Sequence, residues 1–276
     1  MATLHVLGSG SRGNCCAIEA EGALVLVDAG FSAREIERRA TGAGLDLSTA
    51  VGIVLTHEHG DHAQGATHLA DRLTIPIVGS AGTLAALKAR GSTPRIPLSG
   101  SAPREVGPFL IEGASTSHDA AEPMALAISS AAGMRIGYAT DLGRPNTAVR
   151  WLFRSLAAIV LEANYDEVLL RTSGYPVSVQ ERIAGFGGHL SNGDAAELLR
   201  ELFHPGLQAV VLAHLSQQCN TPEHARDRVG STLREMGFAG RLEVAGQAEP
   251  LQPIALSARW EAAPGATEEL VEQPRP

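Results

Sequence analysis

Four side chains that can bind a metal ion lie within six residues of this chain. His57, His59, Asp61 and His62 occur in the segment THEHGDH, directly after the apolar run Val51–Leu55, which is typical of a buried strand. Imidazole and carboxylate groups suit zinc and similar first-row metals. Because so short a segment cannot easily wrap four ligands around one ion, the spacing favours a pair of ions.

Polar residues also follow other short apolar runs that are rich in β-branched residues. These residues are Asp28, Asp141, Glu162 and His214. Side chains carried on loops at strand ends can converge on one edge of a pair of sheets. We therefore expect these residues to approach the histidine cluster.

Strand-like and helix-like patterns alternate along the chain without a clear linker, which predicts an α/β fold in which sheet packs on sheet with helices outside. One helix is predicted over residues 62–73, and another over Gly193–Leu202 with Asn192 as its N-cap. We expect residues 1–261 to form a single domain. Residues 262–276, rich in Pro, Glu and Ala, are expected to be a disordered tail.

The composition narrows the class of protein and its partners. The 276 residues carry a formal net charge of −8, which gives no general attraction to nucleic acid. The three cysteines, Cys15, Cys16 and Cys219, form no CxxC motif and indicate a reduced, cytoplasmic protein. We find no signal peptide and no apolar run near the roughly 18 residues of a membrane span, so no membrane partner is expected.

The HxHxDH segment resembles the second signature motif of the metallo-β-lactamase superfamily. Asp28 in LVDAG, His118 in TSHDA, Asp141 in ATDLG and His214 in LAHLS resemble its remaining motifs, in the family order. The resemblance implies the αββα four-layer sandwich of that superfamily, with two mixed β-sheets packed face to face and helices outside.

The resemblance also implies two divalent metal ions, Zn²⁺ or Mn²⁺, and a hydroxide that bridges them. One ion would be held by His57, His59 and His118, the other by Asp61, His62 and His214, with Asp141 between them. Asp28 would orient a ligand imidazole from behind. Taken without the resemblance, Asp141 could instead be a helix N-cap, His118 a turn residue and His214 a buried histidine.

Further segments resemble the YycJ (WalJ) group of bacterial DNA exonucleases and, more distantly, the RNase Z-like phosphodiesterases. They are GSGSRGN, SHDA, TDLG, EANYD, GHLSN and AHLSQQCNTP. The resemblance implies a nucleic acid substrate, DNA favoured over RNA, cut by 5′–3′ exonuclease action. It implies catalytic roles for Asp61, His189 and Glu162, although His189 could simply flank a helix and Glu162 could be a solvated carboxylate.

The loop Gly8–Asn14 has two open interpretations. Its small residues could present backbone N–H groups to a phosphate, which would make Ser11, Arg12 and Asn14 substrate contacts. It could equally be a plain tight turn.

Other functions share the same metal motif. A thioesterase of the glyoxalase II kind or a lactonase would not need His189 and Glu162. A tRNA-processing enzyme like RNase Z is a nearer alternative, but the chain has no obvious basic Gly/Pro-rich arm. A metal-binding regulator without turnover is disfavoured because the ligand set is complete.

Overall fold

Two sheets of seven strands each are found in the residues that the computed structural model describes, 1–87 and 93–257. The expected tail, 262–276, lies outside these residues, and the single domain over 1–261 stays a prediction. No helix in the described part of the chain has the length and apolar character needed to cross a membrane.

The strands of the first sheet are β1 (Ala2–Gly8), β2 (Cys15–Ala20), β3 (Ala23–Val27), β4 (Ala50–Val54), β5 (Ile77–Gly79), β6 (Arg95–Pro97) and the late strand β14 (Ile254–Leu256). Those of the second are β7 (Arg104–Val106), β8 (Phe109–Ser115), β9 (Met124–Ser130), β10 (Arg135–Ala139), β11 (Ala158–Glu162), β12 (Ala209–Ala213) and β13 (Arg241–Val244). The α-helices are α1 (Ala33–Gly42), α2 (Gly60–Ala63), α3 (Ala66–Leu73), α4 (Ala81–Ala86), α5 (Thr147–Leu152), α6 (Glu167–Arg171), α7 (Val177–Ala184), α8 (Asn192–Leu202) and α9 (Pro222–Glu235). A 3₁₀ turn covers Leu47–Thr49.

Each sheet is antiparallel over one half and parallel over the other. In the first, β14, β1, β2 and β3 pair antiparallel, and β3 to β6 pair parallel. In the second, β7 to β10 pair antiparallel, and β10 to β13 pair parallel. Both sheets are therefore mixed, as expected.

Apolar side chains form three layers. One cluster draws on both sheets, a second joins one face of the second sheet to α5, α8 and α9, and a third joins one face of the first sheet to α1, α3 and α4. In β3, Val25 and Val27 belong to the cluster shared by the sheets, while Leu24 and Leu26 belong to the outer one. A strand buried on both faces reads as a continuous apolar run. The layers confirm the αββα sandwich.

The parallel strands end at one edge of the pair of sheets. Asp28 follows β3, Asp141 lies two residues beyond β10, Glu162 is the last residue of β11, and His214 follows β12. His57 comes three residues after β4. Crevices beyond the carboxyl ends of parallel strands are common ligand sites in α/β folds.

The helix predicted over residues 62–73 is two helices, α2 and α3, separated at Gln64 and Gly65. The N–H of Gly65 donates to the carbonyl of Ala29, and a Cβ at Gly65 would lie 2.2 Å from the carbonyl oxygen of Phe31. The continuous helix was wrong because the neighbouring loop approaches too closely for any side chain at residue 65.

The N-cap predicted for α8 was also misplaced by one residue. Ser191 is the cap, and its hydroxyl accepts a hydrogen bond from the N–H of Asp194 at 3.0 Å. Asn192 is instead buried, and its side chain exchanges two hydrogen bonds with Asn220.

Candidate metal centre

Three residues at the strand ends have a backbone conformation that L-amino acids rarely adopt. Asp28, Asp141 and His214 have φ angles of 58°, 52° and 54°. For a residue other than glycine, the left-handed region costs on the order of 1–2 kcal/mol and often marks a functional site. The fold thus holds three of the expected site residues in strained geometry.

The expected metal donors come together in the groups that the resemblance implies. The donor atoms of His57, His59 and His118 lie within 4.8 Å of one another, as do those of Asp61, His62 and His214. Asp141 shares a group of the same size with His57 and His62. It is not the N-cap of α5, since that cap is Asn146.

Asp28 is fully buried and orients two of the imidazoles. Its Oδ2 lies 2.7 Å from Nδ1 of His62. The hydroxyl of Thr56 lies 3.0 Å from both carboxylate oxygens of Asp28 and 3.0 Å from Nδ1 of His57. A proton on Nδ1 of each ring satisfies these contacts, so Nε2 of both rings is the nitrogen left for a metal.

Two further imidazoles have Nδ1 engaged by the protein in the same way. Nδ1 of His118 lies 3.3 Å from the carbonyl oxygen of Gly188. Nδ1 of His214 lies 3.2 Å from Oε1 of Glu162, and its Nε2 lies 3.4 Å from Oδ2 of Asp61. Both rings therefore direct Nε2 toward the carboxylates.

Two buried atoms test whether the site fits a cation. Nε2 of His57 and Oδ2 of Asp141 have no hydrogen-bond partner. Oδ2 of Asp141 lies only 2.8 Å from Nε2 of His62, whose Nδ1 proton is directed at Asp28. Burial opposes a charge on His62, but Asp28 and Asp141 raise its pKa well above the usual value, so without a metal a second proton fills the gap to Asp141, and a bound cation would replace that proton. The residues fit divalent metal ions.

The electrostatics agree with that fit. Burial, reinforced by the nearby His62, lowers the pKa of His57 to about 2, so this ring is neutral, as a ligand must be. Burial opposes ionisation of Asp141, but the charges of His214 and His62 hold its pKa well below the usual value. Burial also opposes a charge on His214, but Asp141, Asp61 and Glu162 raise its pKa to about 10. Buried carboxylates thus demand positive charge, which bound cations would supply.

Glu162 is not a solvated carboxylate. It is fully buried; its Oε1 lies 2.7 Å from Nδ1 of His189, and its Oε2 accepts hydrogen bonds from the N–H groups of Leu142 and Leu190 at 2.9 Å. Burial opposes its charge, but His189 lowers the pKa of Glu162 to about 2. Burial acts to lower the pKa of His189, but the effect of the Glu162 carboxylate is larger. The pKa of His189 is therefore raised above its usual value.

A cavity of about 380 Å³ lies over this cluster. It is lined by Ser11, His59, Asp61, His118, Asp119, Asp141, Arg182, Ile183, Gly187, Gly188, His189 and His214. Most of the expected site residues therefore face one space, and the side chain of Asp61 is 25% exposed there. The volume of the cavity is within the range of small-molecule binding sites.

The three residues expected from the Gly8–Asn14 loop are placed differently. Ser11 lines the cavity, and Arg12 is exposed with its N–H donating to Oε1 of Gln247. Asn14 is fully buried, and its Oδ1 accepts from the hydroxyl of Ser9 and the N–H of Gly10. Its Nδ2 lies 3.1 Å from Nε2 of His62. We therefore propose a positioning role for Asn14 in place of contact with substrate.

The sequence reasoning missed three residues that hold the donors in place. Thr56 links Asp28 to His57, as described above. The hydroxyl of Ser9 accepts a hydrogen bond from the N–H of His214 at 2.8 Å. Nδ2 of Asn164 donates to the carbonyl oxygen of His214 at 2.7 Å. Asn164 lies two residues after Glu162, which is a signal that could have been used.

Residues 24–215 match the model of the Beta-lactamase superfamily domain, and the chain belongs to that family. The fold and the donor set agree with this match. The class is that of the metal-dependent hydrolases with a metallo-β-lactamase fold.

Within the class, the chain is 33% identical over 237 residues to the exodeoxyribonuclease YycJ of Bacillus anthracis, with 84% of this chain and 89% of that protein covered. It is 29% identical over 227 residues to the exodeoxyribonuclease WalJ of Streptococcus pneumoniae serotype 2, with 80% and 84% covered. The metallo-β-lactamase fold protein YhfI from Bacillus subtilis is a structural neighbour with a TM-score of 0.69 and 17% identity, covering 91% of this chain and 98% of that one.

Proposed function

We propose that this hydrolase uses two divalent metal ions to cleave phosphodiester bonds, and that its substrate is DNA, from which it removes nucleotides in the 5′–3′ direction. The observation that carries the proposal is the pairing of His189 with buried Glu162 beside a donor cluster in which Oδ2 of Asp141 lies 2.8 Å from Nε2 of His62 and Oδ1 lies 3.6 Å from Nε2 of His118. A thioesterase or lactonase with this fold has no need of that pair. The names of the two bacterial relatives support DNA as the substrate.

The two metal positions are assigned to the donor groups. His57, His59 and His118 would hold one ion and Asp61, His62 and His214 the other, with Asp141 serving both. Such ions, when bound, lower the pKa of a coordinated water toward 7 and polarise a phosphoryl oxygen. Histidine and carboxylate ligands admit Zn²⁺ and Mn²⁺ alike.

His189 is proposed as the group that assists departure of the leaving oxygen. Its Nδ1 is directed at Glu162, so Nε2 is the nitrogen left to donate a proton or to hold the scissile phosphate. Glu162 keeps the ring in that orientation and stabilises its protonated form.

Asp61 is proposed to act on the attacking water. Among the carboxylates of the cluster it is the one with its side chain partly exposed to the cavity, at 25%, while those of Asp28, Asp141 and Glu162 are buried. An oxygen of Asp61 can therefore accept a hydrogen bond from the attacking water and orient it, in addition to serving as a ligand.

The test compares DNA with the substrates of the rival functions. Metal-loaded protein would be incubated with 5′-labelled and 3′-labelled duplex and single-stranded DNA, with a structured RNA, and with a thioester and a lactone. We expect mononucleotides to be released from 5′-labelled DNA with Zn²⁺ or Mn²⁺ and none with EDTA. Hydrolysis of the thioester or lactone with no release from DNA would contradict the proposal, and cleavage of RNA alone would favour an RNase Z-like enzyme.

Variants assign the roles of the residues. Asp141→Asn should abolish activity together with metal binding. His189→Ala should keep its metal content and lose about 100-fold or more in kcat, since general acid catalysis typically contributes 10²–10⁴-fold. His224→Gln, which changes an exposed histidine at the start of α9, is the matched control. Equal rates for His189→Ala and wild type would remove the role of His189.

A further inference from the structure

Phe186 is a large apolar side chain that the fold leaves in solvent. It is 71% exposed and lies in the segment Gly185–Gly188 between α7 and His189. Residues on both sides of it, Ile183 and Gly187, line the cavity over the metal donors. An exposed aromatic ring at the rim of a polar cavity is a common feature of ligand recognition.

The backbone that carries Phe186 is held against the site. The hydroxyl of Ser117 donates to the carbonyl oxygen of Phe186 at 2.8 Å, and Nδ1 of His118 lies 3.3 Å from the carbonyl oxygen of Gly188. A Cβ at Gly188 would lie 2.2 Å from the carbonyl oxygen of Ile183, so this turn is fitted around glycine. The backbone of Phe186 is therefore anchored next to the cavity, and its exposed ring is free to meet a ligand there.

Arg182 supplies a positive charge on the same wall. It lines the cavity, its side chain is exposed, and within residues 1–87 and 93–257 its guanidinium makes no ion pair or hydrogen bond. On α7, which carries it, no residue is fully buried; Ile183 packs against the apolar cluster of Tyr165, Leu170 and Cys219, whereas Arg182 is exposed. In a chain of net charge −8, an unpaired arginine at this cavity is available to an anion.

We propose that Arg182 and Phe186 form a nucleotide subsite, in which Arg182 binds the phosphate next to the scissile one and Phe186 stacks on the nucleobase. The inference rests on the proposed function and names the part of DNA that this wall of the site recognises.

Stacking on an aromatic ring tolerates every base, because each base has a π-face. The subsite therefore predicts little preference for sequence and a strong requirement for a base. Loss of one stacking contact is expected to weaken binding about 5- to 100-fold. Loss of one phosphate contact should reduce the steepness with which binding weakens as salt is added.

Binding can be measured without turnover. Metal-loaded protein would be titrated into a single-stranded oligonucleotide with phosphorothioate terminal linkages and 2-aminopurine at its 5′ end. The 2-aminopurine fluorescence should be quenched by wild type and by Phe186→Trp, and not by Phe186→Ala. Trp151→Ala, which removes an exposed aromatic ring from a different groove, should quench as wild type does. Equal quenching by Phe186→Ala would overturn the stacking role.

Arg182→Ala should bind the same oligonucleotide about 10-fold more weakly at low salt, and with a shallower dependence on salt concentration. Arg154→Ala is the matched control, since Arg154 is also exposed and makes no ion pair within the described residues. Identical salt dependence in Arg182→Ala and wild type would overturn the phosphate contact.

Turnover separates the subsite from the chemistry. Phe186→Ala should raise KM for a normal oligonucleotide about 10-fold, with little change for one whose terminal nucleotide is abasic and for bis(p-nitrophenyl) phosphate, which has no base. An equal loss on all three substrates would overturn the subsite. Wild-type protein that neither binds nor cleaves DNA would overturn the proposed function and the subsite with it, whereas DNA cleavage unaffected by both substitutions would overturn the subsite alone.

Discussion

At the scale of single residues, Asp28 orients two of the proposed metal-binding imidazoles although it does not line the cavity. One carboxylate orients His62 directly and His57 through the hydroxyl of Thr56. Carboxylates behind a ligand imidazole fix its tautomer and make it a better donor, and their loss typically costs 10–100-fold in metal affinity. Both proposed metal positions therefore depend on this residue.

Asp28→Asn keeps the size of the side chain and removes its charge. We expect the affinity for Zn²⁺ to fall about 10- to 100-fold at both positions, as measured by competition with a chromophoric chelator. Asp46→Asn, which changes an exposed N-cap whose carboxylate accepts a hydrogen bond from Ser48, serves as the control and should bind zinc like wild type. Unchanged affinity in Asp28→Asn would show that His57 and His62 need no charged partner.

The convergence of the proposed metal donors could be predicted at this scale because the information is local, and their role as ligands stays a prediction. His57, His59, Asp61 and His62 are spaced closely on one loop, and the other donors mark the ends of apolar runs. Thr56 and Asn164 lie close in sequence to site residues, but the contacts of the Gly8–Asn14 loop could not be predicted, because its partners are far away in the chain. Ser9 contacts His214 across 205 positions, and Arg12 contacts Gln247 across 235. The hydrophobic periodicity of a sequence indicates local structure and does not identify such distant pairs.

At the scale of elements, the site depends on a close approach of two loops. Gly30, in the loop after β3, lies so near the loop of the histidine cluster that a Cβ there would be 1.7 Å from the carbonyl oxygen of Asp61. The N–H of Asn14 donates to the same carbonyl at 2.8 Å. The backbone of Asp61 is therefore set by its neighbours on two sides.

Gly30→Ala should force these loops apart. We expect a loss of about 2–3 kcal/mol in the free energy of unfolding, measured in urea, together with weaker metal binding, because Asp61 must shift. Gly42→Ala, at the end of α1 with open space around the new methyl group, should change stability by less than about 1 kcal/mol. Equal stability of the two variants would contradict this account of the loop contact.

Helix α1 braces the loop that follows β1. Arg39 is buried on this helix; it donates to the carbonyl oxygens of Leu7 and Gln247, stacks on Phe31, and pairs with Glu35 at 2.7 Å. The hydrogen bond from Arg38, aided by Arg39 and opposed by partial burial, lowers the pKa of Glu35 from 4.5 to about 2.

A carboxylate whose pKa is lower in the folded state than in the unfolded state stabilises the fold at pH values above its unfolded-state pKa. This contribution is lost as the pH falls through the folded-state pKa. Wild type should therefore exceed Glu35→Gln in stability by about 1 kcal/mol at pH 6, a figure discounted for the partial exposure of Glu35, and the difference should vanish near pH 2. Urea unfolding across this range measures it. The exposed Glu105→Gln should show no such trend, and a constant difference for Glu35→Gln would contradict the linkage.

The elements themselves were largely predictable, within limits that have physical causes. Long apolar strands such as β3 and β12 were placed correctly, because burial on both faces leaves a continuous apolar run. The three-residue strands β6, β7 and β14 were missed, since so few residues show no period. The break between α2 and α3 was missed because it is imposed by the neighbouring loop and not by the helix sequence.

At the scale of the whole molecule, the two sheets meet at the donor cluster. Asp28 and the histidine loop follow strands of the first sheet, whereas His118, Asp141 and His214 follow strands of the second. A metal ion bound by donors from both sheets adds a link between two halves that otherwise associate through apolar packing.

Removal of metal should therefore destabilise the whole fold. A ligand at 1,000 times its Kd stabilises the folded state by about 4 kcal/mol, which corresponds to a change on the order of 10 °C in Tm for a chain of this size. Calorimetry with and without EDTA measures the change. Asp141→Asn should respond much less to EDTA than wild type, and a wild-type Tm that EDTA leaves unchanged would contradict the bridging arrangement.

The left-handed backbone at Asp28, Asp141 and His214 is a local strain that metal binding would have to offset. Glycine at any of the three would adopt the same conformation without the steric penalty of a Cβ, so that part of the strain would disappear together with the donor or its support. Loss of a donor would also remove the stabilisation by a bound ion, about 4 kcal/mol against a strain on the order of 1–2 kcal/mol, so selection for heat resistance in the presence of metal would retain all three residues. Engineering of a hardier variant should leave these three positions untouched and seek its gains in the outer helices.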